Sequence, residues 1–185
     1  MLLAHTAWEG AKRRTSATTI ALLHERIAWA HARADEPRQT QRALDEADRF
    51  YARRVAADDP GWVYWLNQRE TQIMAGRCYT ELRRPQRAEP LLRAALDRYS
   101  DDLARGASLY ARWLADSYVQ AGEIDEAAAH ASRSLVLSTR VNSSRARERR
   151  RLLWAKLRPH RQAKAVRQFE EQFRAIQDEE DAQAT

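Results

Sequence analysis

The sequence predicts an all-α fold. Of its 185 residues, 34 are alanine and 29 are arginine, which favour helices, whereas glycine and proline number only five each. Apolar residues recur at spacings of three and four along most of the chain, which is the periodicity of an amphipathic helix. The β-branched residues are too scattered to form the alternating apolar and polar pattern of β-strands. Because 44% of the residues are hydrophobic, a sizeable helical core is expected.

The sequence also indicates in which cellular compartment the protein is expected. No apolar run approaches the ~20 residues that a membrane-spanning helix needs. The first residues lack the basic start and the long apolar stretch of a signal peptide. The single cysteine, Cys78, cannot form an internal disulfide. We therefore expect a cytoplasmic protein without a membrane partner.

Helix-breaking residues divide the chain into eight helices of about 14–22 residues, after one partial helix over residues 2–14. Asp59 offers an N-cap with a proline in the first turn, and Ser100 begins a helix whose first residues are acidic. The expected boundaries, in chain order, are Asp59-Pro60-Gly61, Arg84-Pro85, Ser100, Gly122, Asn142-Ser143-Ser144 and Pro159.

An internal repeat predicts how these helices are arranged. A small residue followed by further packing residues four and seven positions later recurs five times, led by Ala4, Ala43, Ala88, Ala127 and, most weakly, Ala165. The leading alanines are 39, 45, 39 and 38 residues apart. A helical hairpin that is apolar on two sides can bury both sides only against neighbouring hairpins. This degenerate period therefore predicts an α-α solenoid.

The third and fourth units resemble the tetratricopeptide repeat, a helix-turn-helix unit of 34 residues. Gly76 and Tyr79 precede Ala88 by twelve and nine positions, as in the first helix of that repeat. Leu114, Tyr118, Gly122 and Ala127 also fall on its pattern. The units depart from the pattern by being longer, by Ala115 in place of glycine and by Ser100 in place of proline. The resemblance implies a stack of tetratricopeptide-like hairpins with an irregular superhelix.

The wider chain, over residues 15–177, is similar to the repeat-bearing C-terminal halves of actinobacterial Xre-type transcriptional regulators. The similarity rests on LLHERIAWAHARAD, DDPGWVYWLNQRETQIMAGRCY, RPQRAEPLLRAAL, LYARWLADSYVQAGEIDEAAAHA and RARERRRLLWAKLRPHRQAKAVRQFEEQF. It implies a repeat domain over 15–177, preceded by the second helix of an incomplete repeat over 1–14 and followed by an acidic disordered tail over 178–185. The DNA-binding helix-turn-helix domain of that family is absent from this sequence. We therefore expect contact with DNA only if such a domain is supplied, and not through the repeats.

Groove-facing positions follow from the repeat register. An apolar stripe interleaved with arginines suits an extended peptide, a protein segment, or a small acidic or amphipathic effector, with a bidentate arginine holding a carboxylate. The alternative is that Trp62, Trp113 and Trp154 belong to the core between repeats and that the arginines form a solvated rim. The groove candidates are Trp62, Leu66, Ile73, Arg77, Thr80, Leu109, Arg112, Asp116, Arg150 and Trp154.

Charge is concentrated in one predicted helix. Residues 142–167 carry a net charge of +9, against +6 for the whole chain. Arg145, Arg149 and Lys156 flank one side of an apolar stripe, and other arginines flank the opposite side. Two basic rows around a buried stripe are typical of a packed helix with solvated flanks, whereas a helix that follows phosphates favours one continuous basic face.

Little in the sequence points to catalysis. Phosphate loops, nucleophile elbows and zinc-spaced Cys/His clusters are absent from the sequence, so no cofactor is expected. His31 and Asp35 share a helix face at a spacing of four, where a surface or capping role is expected rather than metal binding. Cys78 lies within a helical pattern and is expected to be a buried small residue.

The function expected from these observations is a non-enzymatic sensory, dimerising or docking domain of a bacterial transcriptional regulator. A homodimer is one possible state, because the segment with Leu2, Leu3 and Trp8 lacks a partner helix. Two other classes stay open. One is a free-standing repeat adaptor that binds a protein segment and has no DNA role. The other is an enzyme or metal protein that uses His31, Asp35 or Cys78.

Overall fold

A computed structural model describes residues 6, 7, 9, 10, 15–97, 104–140 and 144–183. Over these residues the chain forms α-helices and short 3-10 helices and contains no strand, so the predicted all-α fold is confirmed. The eight α-helices are α1 (Ala17–Arg33), α2 (Pro37–Ala52), α3 (Gln68–Glu81), α4 (Pro85–Asp97), α5 (Ala104–Ala121), α6 (Ile124–Thr139), α7 (Ser144–Leu157) and α8 (Lys164–Gln183).

The chain divides into two compact units, Met1–Leu91 and Leu92–Thr185, and the division falls within α4. In the first unit α1 packs along α2, and α3 packs against both. In the second unit α5 packs along α6, α7 contacts both of them, and α8 contacts α6 and α7. Each unit therefore contains one closely packed pair of consecutive helices with further helices against it.

Local chemistry explains where several helices begin and end. The Ser16 hydroxyl accepts a hydrogen bond from the Thr19 amide at 3.2 Å and caps α1. The Asn67 side chain accepts from two amides and caps α3. Helix α4 begins at Pro85, and Gly122 ends α5 with a φ of +79°, which glycine adopts without strain. The predicted breaks at Pro85 and Gly122 are therefore confirmed.

The predicted helix start at Asp59 is wrong. Residues 56–58 and 61–63 form 3-10 helices, and α3 begins only at Gln68. The Asp59 carboxylate accepts a hydrogen bond from the Thr18 hydroxyl at 2.8 Å, so it binds the first turn of α1 instead of capping a helix of its own. The predicted caps at Ser100 and Asn142 lie outside the described residues. Most of the predicted partial helix over 2–14 also lies outside them, and its described residues, 6, 7, 9 and 10, are helical.

Small residues are buried at the positions where the repeat predicts helix contacts. Ala43, Ala88 and Ala127 are buried, at 5%, 0% and 0% exposure. Between α5 and α6 the backbones approach closely enough for two serines to exchange hydrogen bonds. The Ser108 hydroxyl donates to the Ser134 carbonyl at 3.0 Å, and the Ser134 hydroxyl donates to the Ser108 carbonyl at 2.8 Å.

Helix α8 extends further than the sequence suggests. A disordered tail was expected from residue 178, but the helix continues through Gln183. Val166, Phe169 and Phe173 are buried along one face of α8 and attach it to the second unit. Near its end, Glu180 forms an ion pair with Arg150 of α7, which gives the acidic segment a partner. This cationic partner offsets part of the repulsion among the acidic residues of the segment.

Candidate functional site

The first unit contains a cleft of about 540 Å³ between α2 and α3. This volume lies within the range of small-molecule and peptide pockets. Its polar side chains come from successive turns of the two helices and from the residue after α2's C-cap: Gln41, Asp48, Tyr51 and Arg54, and Gln68, Thr71, Gln72 and Tyr79 of α3.

One end of the cleft is held by a hydrogen-bonded cluster. The Tyr79 hydroxyl donates to Gln41 Oε1 at 2.8 Å, and Arg87 Nη1 donates to the same oxygen at 3.0 Å. The Gln41 amide donates in turn to Asp45 Oδ1 at 2.8 Å. The Gln41 side chain is thereby fixed between α2, α3 and α4, and its hydrogen bonds are used within the unit.

The amides of Gln68 and Gln72 differ from that of Gln41. Neither side chain forms a hydrogen bond with any residue that the structure describes. They lie one helical turn apart on α3, which separates them by about 6 Å along the helix axis. An extended peptide repeats every two residues, or about 6.6 Å. Since a side-chain amide both donates and accepts, the pair is spaced to bind alternate backbone groups of an extended peptide.

Both signs of charge are present at this cleft, because Arg54 and Asp48 line it. Partial burial raises the pKa of Asp48, and the neighbouring Asp45 carboxylate raises it further. Glu25 on α1 is 1% exposed, and burial raises its pKa to about 8, while Arg26 opposes the shift and Glu70 and Asp48 add to it. Its Oε1 has no hydrogen-bond partner among the described residues. Burial is the main cause of both shifts, so these carboxyl groups resist ionisation without excluding an anionic ligand.

None of the predicted groove residues of the first unit lines this cleft. Leu66, Ile73 and Thr80 are core residues, each less than 9% exposed, and the Thr80 hydroxyl donates to the Gly76 carbonyl at 3.0 Å. The Arg77 guanidinium lies 3.6 Å from the centre of the Trp29 ring, a cation-π contact within the unit. Trp62 is 58% exposed, so it does not belong to the core.

Asp116 and Arg112, two of the predicted groove residues of the second unit, lie beside each other on α5. Asp116 on α5 is 5% exposed and accepts a hydrogen bond from Lys156 of α7 at 2.8 Å. Its other oxygen lies 3.6 Å from Arg112 Nη1, one turn earlier on α5. Leu109 lies on the same helix and is half-buried. Arg77 belongs to the other unit, so the predicted common surface of Arg77 and Arg112 stays a prediction.

The remaining predicted residues of the second unit support its fold. Arg150 is 5% exposed, donates to the Ser138 hydroxyl at 3.2 Å and forms an ion pair with Glu180. Trp154 packs against the rings of Phe169 and Phe173, with centroids 6.2 and 6.1 Å apart. Trp113 is 8% exposed, in agreement with the alternative that the tryptophans of this unit are core residues.

The weaker sequence candidates have structural partners. His31 Nδ1 lies 2.5 Å from Glu36 Oε2, while Asp35 lies beyond the end of α1 with a φ of +55°. Cys78 is completely buried, as expected, and burial raises the pKa of its thiol to about 12. Across the described ranges, no three His, Cys, Asp or Glu side chains are arranged to hold a metal ion.

Sequence reasoning missed the cleft because its residues carry no motif. Gln68 and Gln72 are ordinary helix-surface residues, and only the packing of α3 against α2 places them at a concave surface.

Within the parts of the chain that the structure describes, every helix is too short or too polar to cross a membrane. Comparisons with protein-family models, curated proteins and solved structures find no match to this chain.

Proposed function

We propose that this chain is a non-enzymatic, cytoplasmic docking domain of a bacterial transcriptional regulator, which binds an extended peptide in the cleft between α2 and α3. In this proposal the paired helices belong to an α-solenoid of tetratricopeptide-like hairpins, as the repeated alanines suggest. The peptide would come from a partner protein or from a signalling segment.

The single observation that carries the proposal is the pair of unpartnered amides at Gln68 and Gln72. Peptide backbones offer alternating donors and acceptors, and an amide side chain can satisfy one of each. Tyr51 and Tyr79 add aromatic surface at low conformational cost, and Asp48 favours a peptide that carries a basic or uncharged side chain at that position. Arg54 also lines the cleft and favours an acidic or uncharged side chain beside it.

The alternative of a free-standing adaptor uses the same cleft and differs only in its genetic context. A regulator requires an in-frame helix-turn-helix domain, so the coding sequence 5′ of residue 1 distinguishes the two. Peptide binding by the cleft is common to both and can be measured on the chain itself.

The test is selection of binders from a display library of random linear peptides, followed by titration of the selected peptides. Gln68→Ala and Gln72→Ala should each weaken binding about three- to tenfold, as expected for the loss of one neutral hydrogen-bonding pair. The matched control is Gln86→Ala, since Gln86 is an exposed glutamine of α4 that does not line the cleft.

Selection of linear peptides whose affinity falls in the Gln68 and Gln72 variants and not in the Gln86 variant would support the proposal. Equal affinity of all three variants would contradict it, as would a library that yields no binder. Thermal melting of each variant checks that the loss is local, because exposed glutamines contribute little to folding.

A further inference from the structure

A cluster of cationic side chains lies where α5 and α7 meet in the second unit. Arg145, Arg149 and Lys156 share one face of α7, at spacings of four and seven residues. Lys156 is joined to Asp116 of α5, and Arg112 lies beside the same carboxylate. Asp116 therefore connects this face of α7 to α5 and brings Arg112 toward it.

The arginines of this cluster use few of their donors within the fold. Arg112, Arg145 and Arg149 donate no hydrogen bond to any residue in the described ranges. Arg112 Nε is buried without an acceptor among the described residues, and the ion pair of Arg112 with Asp116, at 3.6 Å, is longer than a hydrogen bond. Each guanidinium carries five N–H donors in a planar fork, so many donors remain available at the junction.

The positive charges of this cluster also repel one another. Asp116 pairs with Arg112 and Lys156, whereas Arg145 and Arg149 have no ion-pair partner among the described residues. Partial burial lowers the pKa of Arg149, and the Arg112 and Arg145 guanidiniums lower it further. Arg145 also lies in the first turn of α7, where the helix dipole disfavours a cation. The Lys156–Asp116 pair joins the two helices, but the repulsion among the remaining cations opposes folding.

Arg150, the next residue along α7, provides a contrast. It is buried, and both Ser138 and Glu180 accept hydrogen bonds from it. The buried Arg150 thus receives its acceptors from the protein, whereas Arg145 and Arg149 are exposed and have no acceptor among the described residues, so their donors are open to a ligand. Residues that are unfavourable for folding and share one location are typical of a functional site.

We propose that Arg112, Arg145 and Arg149 form a binding site for a tetrahedral dianion, a free phosphate or the phosphate group of a small phosphomonoester, at the junction of α5 and α7. This site is separate from the peptide cleft and does not depend on the proposed function. A single carboxylate would neutralise one of the excess charges. A phosphomonoester carries a charge of about −1.5 to −2 and three acceptor oxygens, which matches several guanidinium forks from two helices.

The experiment is calorimetric titration of the full chain with sodium phosphate and with phenyl phosphate at about pH 8, where both are largely dianions. Sodium chloride at matched ionic strength controls for screening. Arg149→Gln and Arg145→Gln should each weaken phosphate binding about tenfold or more. Arg151→Gln is the matched control, because Arg151 is an exposed arginine on the other side of α7.

Thermal melting supplies a second readout that a merely structural role would not produce. Without phosphate, Arg149→Gln should melt at a higher temperature than the parent, because it removes a repelled charge. Phosphate should raise the melting temperature of the parent and of Arg151→Gln but not that of Arg149→Gln.

Saturable one-to-one phosphate binding with this pattern of variants would support the site. Tighter binding of phenyl phosphate would identify a phosphomonoester as the source of the group, and equal or weaker binding would identify the free ion. Phosphate binding that does not saturate, or that falls equally in the Arg151 variant, would overturn the proposal. Duplex DNA that binds these arginines and is not displaced by phosphate would also overturn it, in favour of an extended polyanion surface.

Discussion

Replacing Glu25 by glutamine should stabilise this protein near neutral pH. The Glu25 side chain is 1% exposed, and its Oε1 has no hydrogen-bond partner among the described residues. Burial is the main reason that its pKa rises, and the carboxylates of Glu70 and Asp48 add to the shift against the opposing charge of Arg26. Glutamine has the same shape and carries no charge, so it removes the cost of ionisation while retaining the packing.

The magnitude follows from the difference in pKa between the folded and unfolded chain. Burial raises the pKa of Glu25 from 4.5 to about 8. A carboxyl group whose pKa is higher in the folded chain than in the unfolded chain contributes its full stability only below the pKa of the unfolded chain. This stability falls as the pH rises and is lost once the pH passes the pKa of the folded chain. At about 1.4 kcal/mol per pH unit, about 3 kcal/mol is lost by pH 7 and about 5 kcal/mol above pH 8. Glu25→Gln should therefore be about 3 kcal/mol more stable than the parent at pH 7.

The assay is urea unfolding followed by far-ultraviolet circular dichroism, at pH values from about 5 to about 8. The informative quantity is the difference in unfolding free energy between the variant and the parent at each pH. Asp48 titrates in both proteins, so its contribution largely cancels in that difference. Glu81→Gln is the control, since Glu81 is an exposed carboxylate of α3 that pairs with exposed Arg33 and should show a small, nearly constant difference.

A difference that grows steadily with pH for Glu25→Gln and stays flat for Glu81→Gln is the expected result. A constant difference for Glu25→Gln across this range would show that the carboxyl ionises in the folded chain as it does in the unfolded chain. A variant less stable than the parent at pH 7 would show that Glu25 forms a favourable interaction as an anion. Either result would refute the reasoning.

Three further predictions concern packing, backbone and thiol chemistry. Ala127→Leu should cost about 1–3 kcal/mol in chemical unfolding, because Ala127 is completely buried at a helix contact, and unchanged stability would contradict the repeat register. Gly122→Ala should cost about 1 kcal/mol through its φ of +79° alone, since no atom lies within 4 Å of the added Cβ; a neutral result would show that the turn relaxes. Cys78 should not react with a thiol reagent in the native chain at about pH 8 and should react in urea, because burial raises its pKa to about 12; rapid native labelling would contradict this.

The sequence by itself determined the helical fold, several helix boundaries and the small residues of the helix contacts. These properties depend on local chemistry. Pro85 begins α4 because proline fits a first turn, and Gly122 ends α5 because glycine accepts a positive φ. The burial of Ala43, Ala88 and Ala127 follows from a period that places small residues on the packed face.

Only the tertiary structure decided which polar side chains find partners. Asp59 has the residue type of a helix cap, but its carboxylate binds Thr18, 41 residues earlier in the chain. Arg149 and Arg150 are neighbours in a basic sequence, yet Arg150 is buried with two acceptors and Arg149 donates no hydrogen bond to a described residue. Periodicity gives the direction of a side chain around its own helix, whereas its partners and the energy of its charge depend on which other helix lies opposite.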